Sequence, residues 1–341
     1  MNGGTVIASS ELTALATGIF VRFGAPPSTA EVVAASLVES SLLGHDSHGI
    51  LRIARYVDKI REGTLDPAAL PRVLRRLGGS AVVDGGRGFG QTTGRFSADL
   101  AVELAREHGV AAVSLANTNH VGRLGEYVER ISAAGLAAIG FASGAGPGGA
   151  VAIHGGSERL FGTNPLAWSL PVSPGRGPLV ADFSTAAIPE GKVAMARARG
   201  EPLPPGAVID REGGATTDPA AFYAGGALLP FGGHKGSSLV LFIELAANLL
   251  AGSVPASSRD YRPGNPTLLL ALSVDAFCPR EDYLRYTDEL LSRIERSRPA
   301  AGVSAVALPH AIELRTAEER RRSGIPVPDE IWRELRQLAG S

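Results

Sequence analysis

Gly44-His45-Asp46-Ser47-His48-Gly49-Ile50-Leu51-Arg52 places two imidazoles, a carboxylate, a hydroxyl and a guanidinium within nine residues. An apolar helical pattern precedes it (Val32, Val33, Leu37, Val38, Leu42), and another follows (Ile53, Tyr56, Val57, Ile60). Read as helical from Ile50, the chain sets His48 at a helix N-terminal edge and Arg52 about one turn on, on roughly the same side. Histidine exchanges protons near neutral pH. An arginine one turn away is able to grip a carboxylate in a two-pronged contact. The stretch therefore reads as a site that holds a small carboxylic acid at Arg52 and moves a proton at His48. Ser47 either orients the imidazole or caps the helix. The plainer alternative keeps Asp46 or Ser47 as an N-cap and His48 as a polar first-turn residue.

Working outward, residues 9–60 read as helices, with Ser9 or Ser10 as a cap and Ser28 with Glu31 as a capping box. After the turn at Gly63-Thr64-Leu65-Asp66-Pro67 the period changes. Strands are expected at 81–84, 110–115 and 136–142, alternating with helices at 97–108 and 124–134, which argues for an α/β body. The middle, residues 143–230, is rich in glycine and proline. Short strands are expected there at 151–153, 166–170 and 179–181, and an extended loop at 200–218. Beyond it follow an apolar helix at 238–250, a strand at 267–274, a helix at 280–294, a strand at 303–308 and a charged helical C-terminus. The Arg-rich run Arg315 to Arg322 reads as a solvated helix face.

A chain of 341 residues is long enough for two or three packed units at ~100–200 residues each. With 44% hydrophobic and 20% charged residues it buries a sizeable core, and a formal net charge of -1 gives no reason to expect nucleic acid or a membrane surface as partner. Cys278 is the single cysteine, so an intrachain disulfide is excluded, which fits a reducing cytoplasm. The N-terminus does not read as a signal peptide. The apolar helix at 238–250 carries Glu244 and Asn248 and reads as buried in protein rather than in a bilayer.

Other motifs are placed where chemistry is expected. Gly86-Arg87-Gly88-Phe89-Gly90-Gln91-Thr92-Thr93-Gly94 follows a strand, but its spacing departs from the dinucleotide fingerprint. Its glycines read as sites of tight turning or close backbone approach. Asn117-Thr118-Asn119-His120-Val121-Gly122-Arg123 ends a strand and precedes a helix, where α/β sheets bind ligands; a simple Asn/Gly turn is the alternative. Asp182 at a strand end either accepts ribose hydroxyls or caps a turn. Gly232-Gly233-His234-Lys235-Gly236 opens the apolar helix and is suited to a pyrophosphate. No spacing specifies a metal site.

These two motifs, the Gly44–Arg52 stretch with Tyr56, Phe161-Gly162-Thr163-Asn164-Pro165 and Asp182-Phe183-Ser184 stand in an order that resembles the type-2 malate/L-lactate dehydrogenase family, over roughly residues 10 to 335. The resemblance implies an NAD- or NADP-dependent oxidoreductase of small 2-oxo or 2-hydroxy acids, working as a homodimer. It also implies an α/β, non-Rossmann nucleotide-binding fold, with a mixed sheet plus an N-terminal helical domain. The implied organisation is a helical domain over 1–75 joined by the C-terminal segment 312–341, a central α/β domain from 76–120 and 266–311, and an NAD(P)-binding domain over 121–265. Carried over residue by residue, His48 is the proton donor, Ser47 assists it and Arg52 binds the substrate carboxylate. His120 is a second active-site histidine beside the nicotinamide, assigned as the base in some members. His120, Gly122, Thr163, Asn164, Asp182, Phe183, Ser184, His234, Lys235 and Pro309 match the cofactor site. The back half of the chain is similar to the cyclic imino acid reductases of the family, which act on Δ1-piperideine-2-carboxylate and Δ1-pyrroline-2-carboxylate. That branch has an acidic residue where Lys192 stands, so the oxo acid is favoured over the imine. The family often has Pro-Gly-Glu where this chain has Pro309-His310-Ala311.

Overall fold

The computed structural model describes residues 4–144 and 148–340. Its N-terminal layer is built from helices α1 (Ser9–Arg22), α2 (Pro27–Leu42) and α3 (Ile53–Arg61). Helix α2 starts one residue before the expected cap, because Pro27 takes the first helical position, where a missing N–H costs nothing. Neither helix has a side-chain cap, so the capping box at Ser28 and Glu31 does not form. The chain ends return to this layer. Strand β1 (Gly4–Ile7) pairs antiparallel with β12 (Ile325–Pro328), which lies between α10 (Ala311–Ser323) and α11 (Asp329–Ala339). Ala317, Ile325, Val327 and Leu335 join Leu12, Phe20, Leu37 and Tyr56 in one core.

The second core belongs to a seven-stranded sheet. Its strands are β2 (Arg72–Leu77), β3 (Ser80–Asp84), β4 (Val110–Ala116), β5 (Leu136–Ala142), β6 (Leu166–Leu170), β7 (Leu179–Phe183) and β11 (Thr267–Ser273). Their order is β2-β3-β4-β11-β5-β6-β7, and only β3 and β4 run parallel. The sheet is therefore mixed. It joins strands from both the 76–120/266–311 and the 121–265 segments. Helices α4 (Gly90–His108) and α5 (Gly125–Ala133) pack on it through Ala98, Leu104, Tyr127 and Ile131. The glycine-rich stretch thus supplies the first turn of α4, and its glycines sit where neighbours come close. A Cβ on Gly90 would lie 2.3 Å from the His120 carbonyl oxygen, and one on Gly94 2.3 Å from the Tyr127 ring.

A third core gathers Val151, Ile188, Val193, Val208, Phe222, Leu228 and Val240. It is framed by α6 (Glu190–Arg199), α7 (Pro219–Tyr223), α8 (His234–Ile243) and a small sheet of β8 (Val208–Ile209), β9 (Ala215–Thr216) and β10 (Ala227–Leu228). Residues 151–153 form only isolated bridges at Val151, to Phe161 and to Leu228, rather than a strand. The 200–218 loop carries β8 and β9. Beyond α9 (Arg280–Glu295), the expected strand at 303–308 is irregular chain with a bend at 304–305: Val303 is exposed and no strand among the described residues pairs with it. The apolar helix starts at His234 and runs on from α8 as a π-helical segment, Glu244–Asn248. Glu244 and Asn248 are buried, but Leu241, Phe242, Leu245 and Leu249 are exposed, so the helix is covered on one side only. Among the described residues, no helix is long and apolar enough to cross a membrane.

Candidate active site

The Gly44–Arg52 stretch is not the start of one α-helix. It forms two 3-10 turns, Asp46–His48 and Ile50–Arg52, before α3 begins at Ile53. The break falls at Gly49, whose missing side chain lets the turn press against α2. A Cβ there would lie 2.0 Å from Ser41 Oγ, which itself accepts the Ile50 N–H at 3.0 Å. Arg52 folds back, and its Nε donates to the Ser47 carbonyl at 2.6 Å. That bond uses one edge of the guanidinium and leaves the terminal nitrogens without a carboxylate partner among the described residues. The turn is also braced from the C-terminus. Arg320 on α10 donates to Asp46 at 2.5 and 3.1 Å and to the Ser41 carbonyl. The solvated reading of the 315–322 run therefore fails at Arg320, whose reach is long enough to leave its own helix face.

The His48 ring stacks on the His120 ring, centroids 5.4 Å apart and planes at 25°. Ser47 Oγ lies 3.0 Å from His48 Nδ1. Tyr56 Oη lies 2.7 Å from His120 Nδ1, and Gln91 Nε2 donates to Tyr56 Oη at 2.8 Å. Tyr56 spans core and site. Its ring is buried beside Phe20 and Phe89, a placement that stabilises by roughly 1.5–3 kcal/mol, while its hydroxyl reaches His120. Lys59, nearly two turns beyond Arg52, donates to Asn119 Oδ1 at 3.1 Å.

Electrostatics keep both rings neutral. Burial, then Arg52, His45 and Arg123, lower His48 to about 4. Burial, then Arg52, His48 and Lys59, hold His120 well below the ordinary histidine range. Burial pushes the Tyr56 hydroxyl up to about 12, so it remains a donor at neutral pH. Burial, Arg55 and Arg52 lower Lys59. An anion seated at Arg52 offsets the guanidinium charge, which raises the proton affinity of His48.

A second group lies on the other side of the same turn. His45, Arg123, Asp182, Phe183, Pro309, His310 and Glu313 line a cavity of about 190 Å³. Asp182 accepts the Gly125 N–H at 2.7 Å, and burial outweighs this bond and Arg123 in raising its carboxyl. Arg123 is buried and bonded to Glu129 at 3.0 Å, yet its Nε has no partner among the described residues. His310 is buried, lacks a partner at Nε2 among the described residues, and adopts a left-handed φ of 72°. Burial lowers its proton affinity.

The other expected residues spread from this cavity. The Phe183 ring meets Phe231 edge-on at 6.1 Å, and the Phe231 N–H donates to the Thr185 carbonyl at 2.9 Å. This ties the end of β7 to the start of α8, where His234 and Lys235 are exposed. Ser184 Oγ donates to the Thr163 carbonyl at 3.1 Å. Asn164 has no exposed surface; it donates to Glu244 at 2.9 Å inside a buried network with Ser143 and Asn248. Gly122, at φ 74°, lies against Gln91 and turns its N–H toward His120 Nδ1 at 3.3 Å. The first turn of α6 sits beside the catalytic candidates, since a Cβ on Gly191 would come within 4.0 Å of Ser47 Cβ. His45, Gln91 and Arg123 stand within the quoted motifs but were given no role, and Lys59 was not singled out; only the fold brings Gln91 and Lys59 beside the His120 loop and His45 and Arg123 to the Asp182 cavity.

Residues 7–336 match the family model described as malate/L-lactate dehydrogenase. The chain is 31% identical to a malate dehydrogenase of Pyrococcus abyssi, over 98% of this chain and 94% of that one. It is 32% identical to a Delta(1)-pyrroline-2-carboxylate/Delta(1)-piperideine-2-carboxylate reductase of Pseudomonas putida, over 97% and 96%. The fold superposes on sulfolactate dehydrogenase from Methanocaldococcus jannaschii with a TM-score of 0.90 at 29% identity, covering 98% and 97% of the two chains.

Proposed function

From the premise that this chain belongs to the malate/L-lactate dehydrogenase family, we propose that it interconverts small 2-oxo and 2-hydroxy carboxylic acids at the His48–His120 pair. The observation that carries this reading is the stacked imidazole pair beside Arg52, a cation with no carboxylate of its own. Its terminal nitrogens offer the two-pronged grip that a substrate carboxylate needs. Seating that anion offsets the charge that depresses His48, so the ring takes up a proton as the acid binds and returns it to the oxygen at C2. Ser47 orients the ring through Nδ1. Both imidazoles are half-buried, which limits the water around the proton transfer.

The family implies a nicotinamide cofactor, and the donors around Asp182 fit one. A half-buried carboxylate lines one cavity with Arg123 and His310 nitrogens that have no partner among the described residues, chemistry matched to hydroxyl and phosphate oxygens. Asp182, Phe183, His310, His234 and Lys235 would hold it, with Pro309, Ser184 and Thr163 at the margin. Bound, the nicotinamide supplies or accepts the hydride at C2 of the acid. Asn164 acts from beneath by fixing the 163–164 backbone through Glu244.

Lys192 decides between the two substrate branches in this reading. It follows Gly191, which lies against Ser47, and a lysine there disfavours a cationic imine. The exposed stripe Leu241, Phe242, Leu245 and Leu249 supports assembly as a homodimer. The deciding experiment follows NADH and NADPH oxidation against a panel of 2-oxo acids and the two cyclic imines. Oxo-acid turnover is expected; turnover of the imines alone would reassign the substrate and the role of Lys192.

A further inference from the structure

The hydrogen bonds around His120 fix which ring nitrogen carries its hydrogen. Tyr56 Oη lies 2.7 Å from Nδ1, and a phenol has one hydrogen to give. Gln91 Nε2 donates to the same oxygen at 2.8 Å. The phenolic hydrogen therefore points away from Gln91 and toward His120, where Nδ1 at 2.7 Å is a far closer acceptor than the His120 carbonyl oxygen at 3.5 Å. The backbone N–H of Gly122, which is only ever a donor, approaches Nδ1 as well, at 3.3 Å. With two donors converging on it, Nδ1 presents a lone pair, and the neutral ring carries its hydrogen on Nε2. Turning the Gln91 amide over would aim its oxygen at Tyr56. That arrangement would bury two unpaired N–H groups in place of one unpaired oxygen, Oε1, and would set the Gly122 N–H against a second N–H. Arg52, Lys59 and His48 all face the ring and oppose a positive charge on it.

We propose that Tyr56 and Gln91 are positioning residues that hold His120 as a neutral Nε2–H donor. In that form His120 offers a fixed hydrogen bond to the substrate oxygen, and His48 alone exchanges a proton. The assignment of the acceptor as substrate rests on the dehydrogenase reading; the tautomer does not. It removes His120 from the role of general base. It also explains why a tyrosine, whose ring the core needs, keeps its hydroxyl aimed at the site.

The test is long-range nitrogen–proton correlation NMR on the full chain with isotope-labelled histidine, the His120 signals being assigned with His120→Gln. A pyridine-type Nδ1 and a pyrrole-type Nε2 are expected across neutral pH. Tyr56→Phe removes the stronger donor, so His120 should titrate at higher pH. Its kcat should fall on the order of 100-fold with KM nearly unchanged. Gln91→Glu, an acceptor, should reverse the phenol and move the hydrogen to Nδ1, which keeps the proposal falsifiable if Tyr56→Phe folds poorly. An Nδ1-protonated His120 in the unaltered chain would overturn it, as would a folded Tyr56→Phe with unchanged nitrogen shifts and kcat. Absence of turnover on every oxo acid and imine would defeat the dehydrogenase reading while leaving the NMR result to decide the tautomer.

Discussion

The turn at residues 45–52 separates two polar regions that are built in opposite ways. On one side, His48 and His120 each have a protein partner at Nδ1, and Tyr56, Gln91 and Gly122 form a continuous chain of hydrogen bonds behind His120. On the other, Arg123 Nε and His310 Nε2 are buried without partners among the described residues, and His310 holds a left-handed backbone. Groups that must be oriented at the moment of reaction are fixed by the protein in advance. Groups that bind a polar ligand keep their hydrogen bonds for it. In the proposed reading the contrast separates catalysis from binding, and it predicts that damage to the two regions will be felt in different measurements.

The largest effect should come from the wired side. His48→Ala is expected to lower kcat ~100- to 10,000-fold while calorimetry still detects nicotinamide binding, because the Asp182 side is untouched. Loss of binding in that variant would merge the two regions into one. Acid is the next sharpest probe. His48 is held at about 4 against an ordinary value of 6.5. The unfolded chain therefore takes up a proton before the folded one does. Stability is full above pH 6.5 and is lost as pH falls toward 4, by about 3 kcal/mol from this group. Denaturant midpoints across that range check it, and His48→Gln should flatten the slope. His45, His120 and His310 are shifted the same way, so part of the slope should survive the substitution.

Close approach gives a third probe. Gly90→Ala puts a methyl group 2.3 Å from the His120 carbonyl oxygen, and the atoms it meets are backbone. Overpacking of this kind costs typically 1–3 kcal/mol. The expected outcome is a lower denaturant midpoint together with a fall in kcat, since the shift is transmitted to the His120 ring. Normal activity in a destabilised Gly90→Ala would show that His120 is not held as tightly as its hydrogen bonds imply.

How far the sequence foretold this depends on how local each feature is. The strand at 136–142 and the helix from 280 were readable because apolar period and flanking signals agree there. The close-approach reading of the 86–94 glycines was readable from their faulty spacing as a nucleotide loop, but not the neighbours that demand them, since His120 and Tyr127 lie 30 or more residues away. His48, Arg52 and His120 carry their chemistry in their side chains, so motif order was enough to propose them, and the fold stacks the two imidazoles. Gln91 was not visible, because its partner is the hydroxyl of a core tyrosine. Arg320 was not either: a run of arginines looks solvated until the fold brings Asp46 beneath one of them. The strand expected at 303–308 failed because an apolar run without a pairing edge has no reason to extend.

The smallest effect tests the unwired side. The resemblance places a glycine where His310 stands, and its φ of 72° costs a side-chain-bearing residue about 1–3 kcal/mol. Its unpartnered, buried Nε2 adds a desolvation cost of similar size. Against these stand the packing contacts of one imidazole at the rim of a cavity. His310→Gly is therefore expected to stabilise the chain, by about 1 kcal/mol in denaturant unfolding, to change nicotinamide affinity in calorimetry, and to leave kcat with saturating cofactor unaltered. A destabilised His310→Gly would mean that this histidine is wired like His120, by packing if not by hydrogen bonds, and the distinction between the two sides of the turn would fail where it is most exposed.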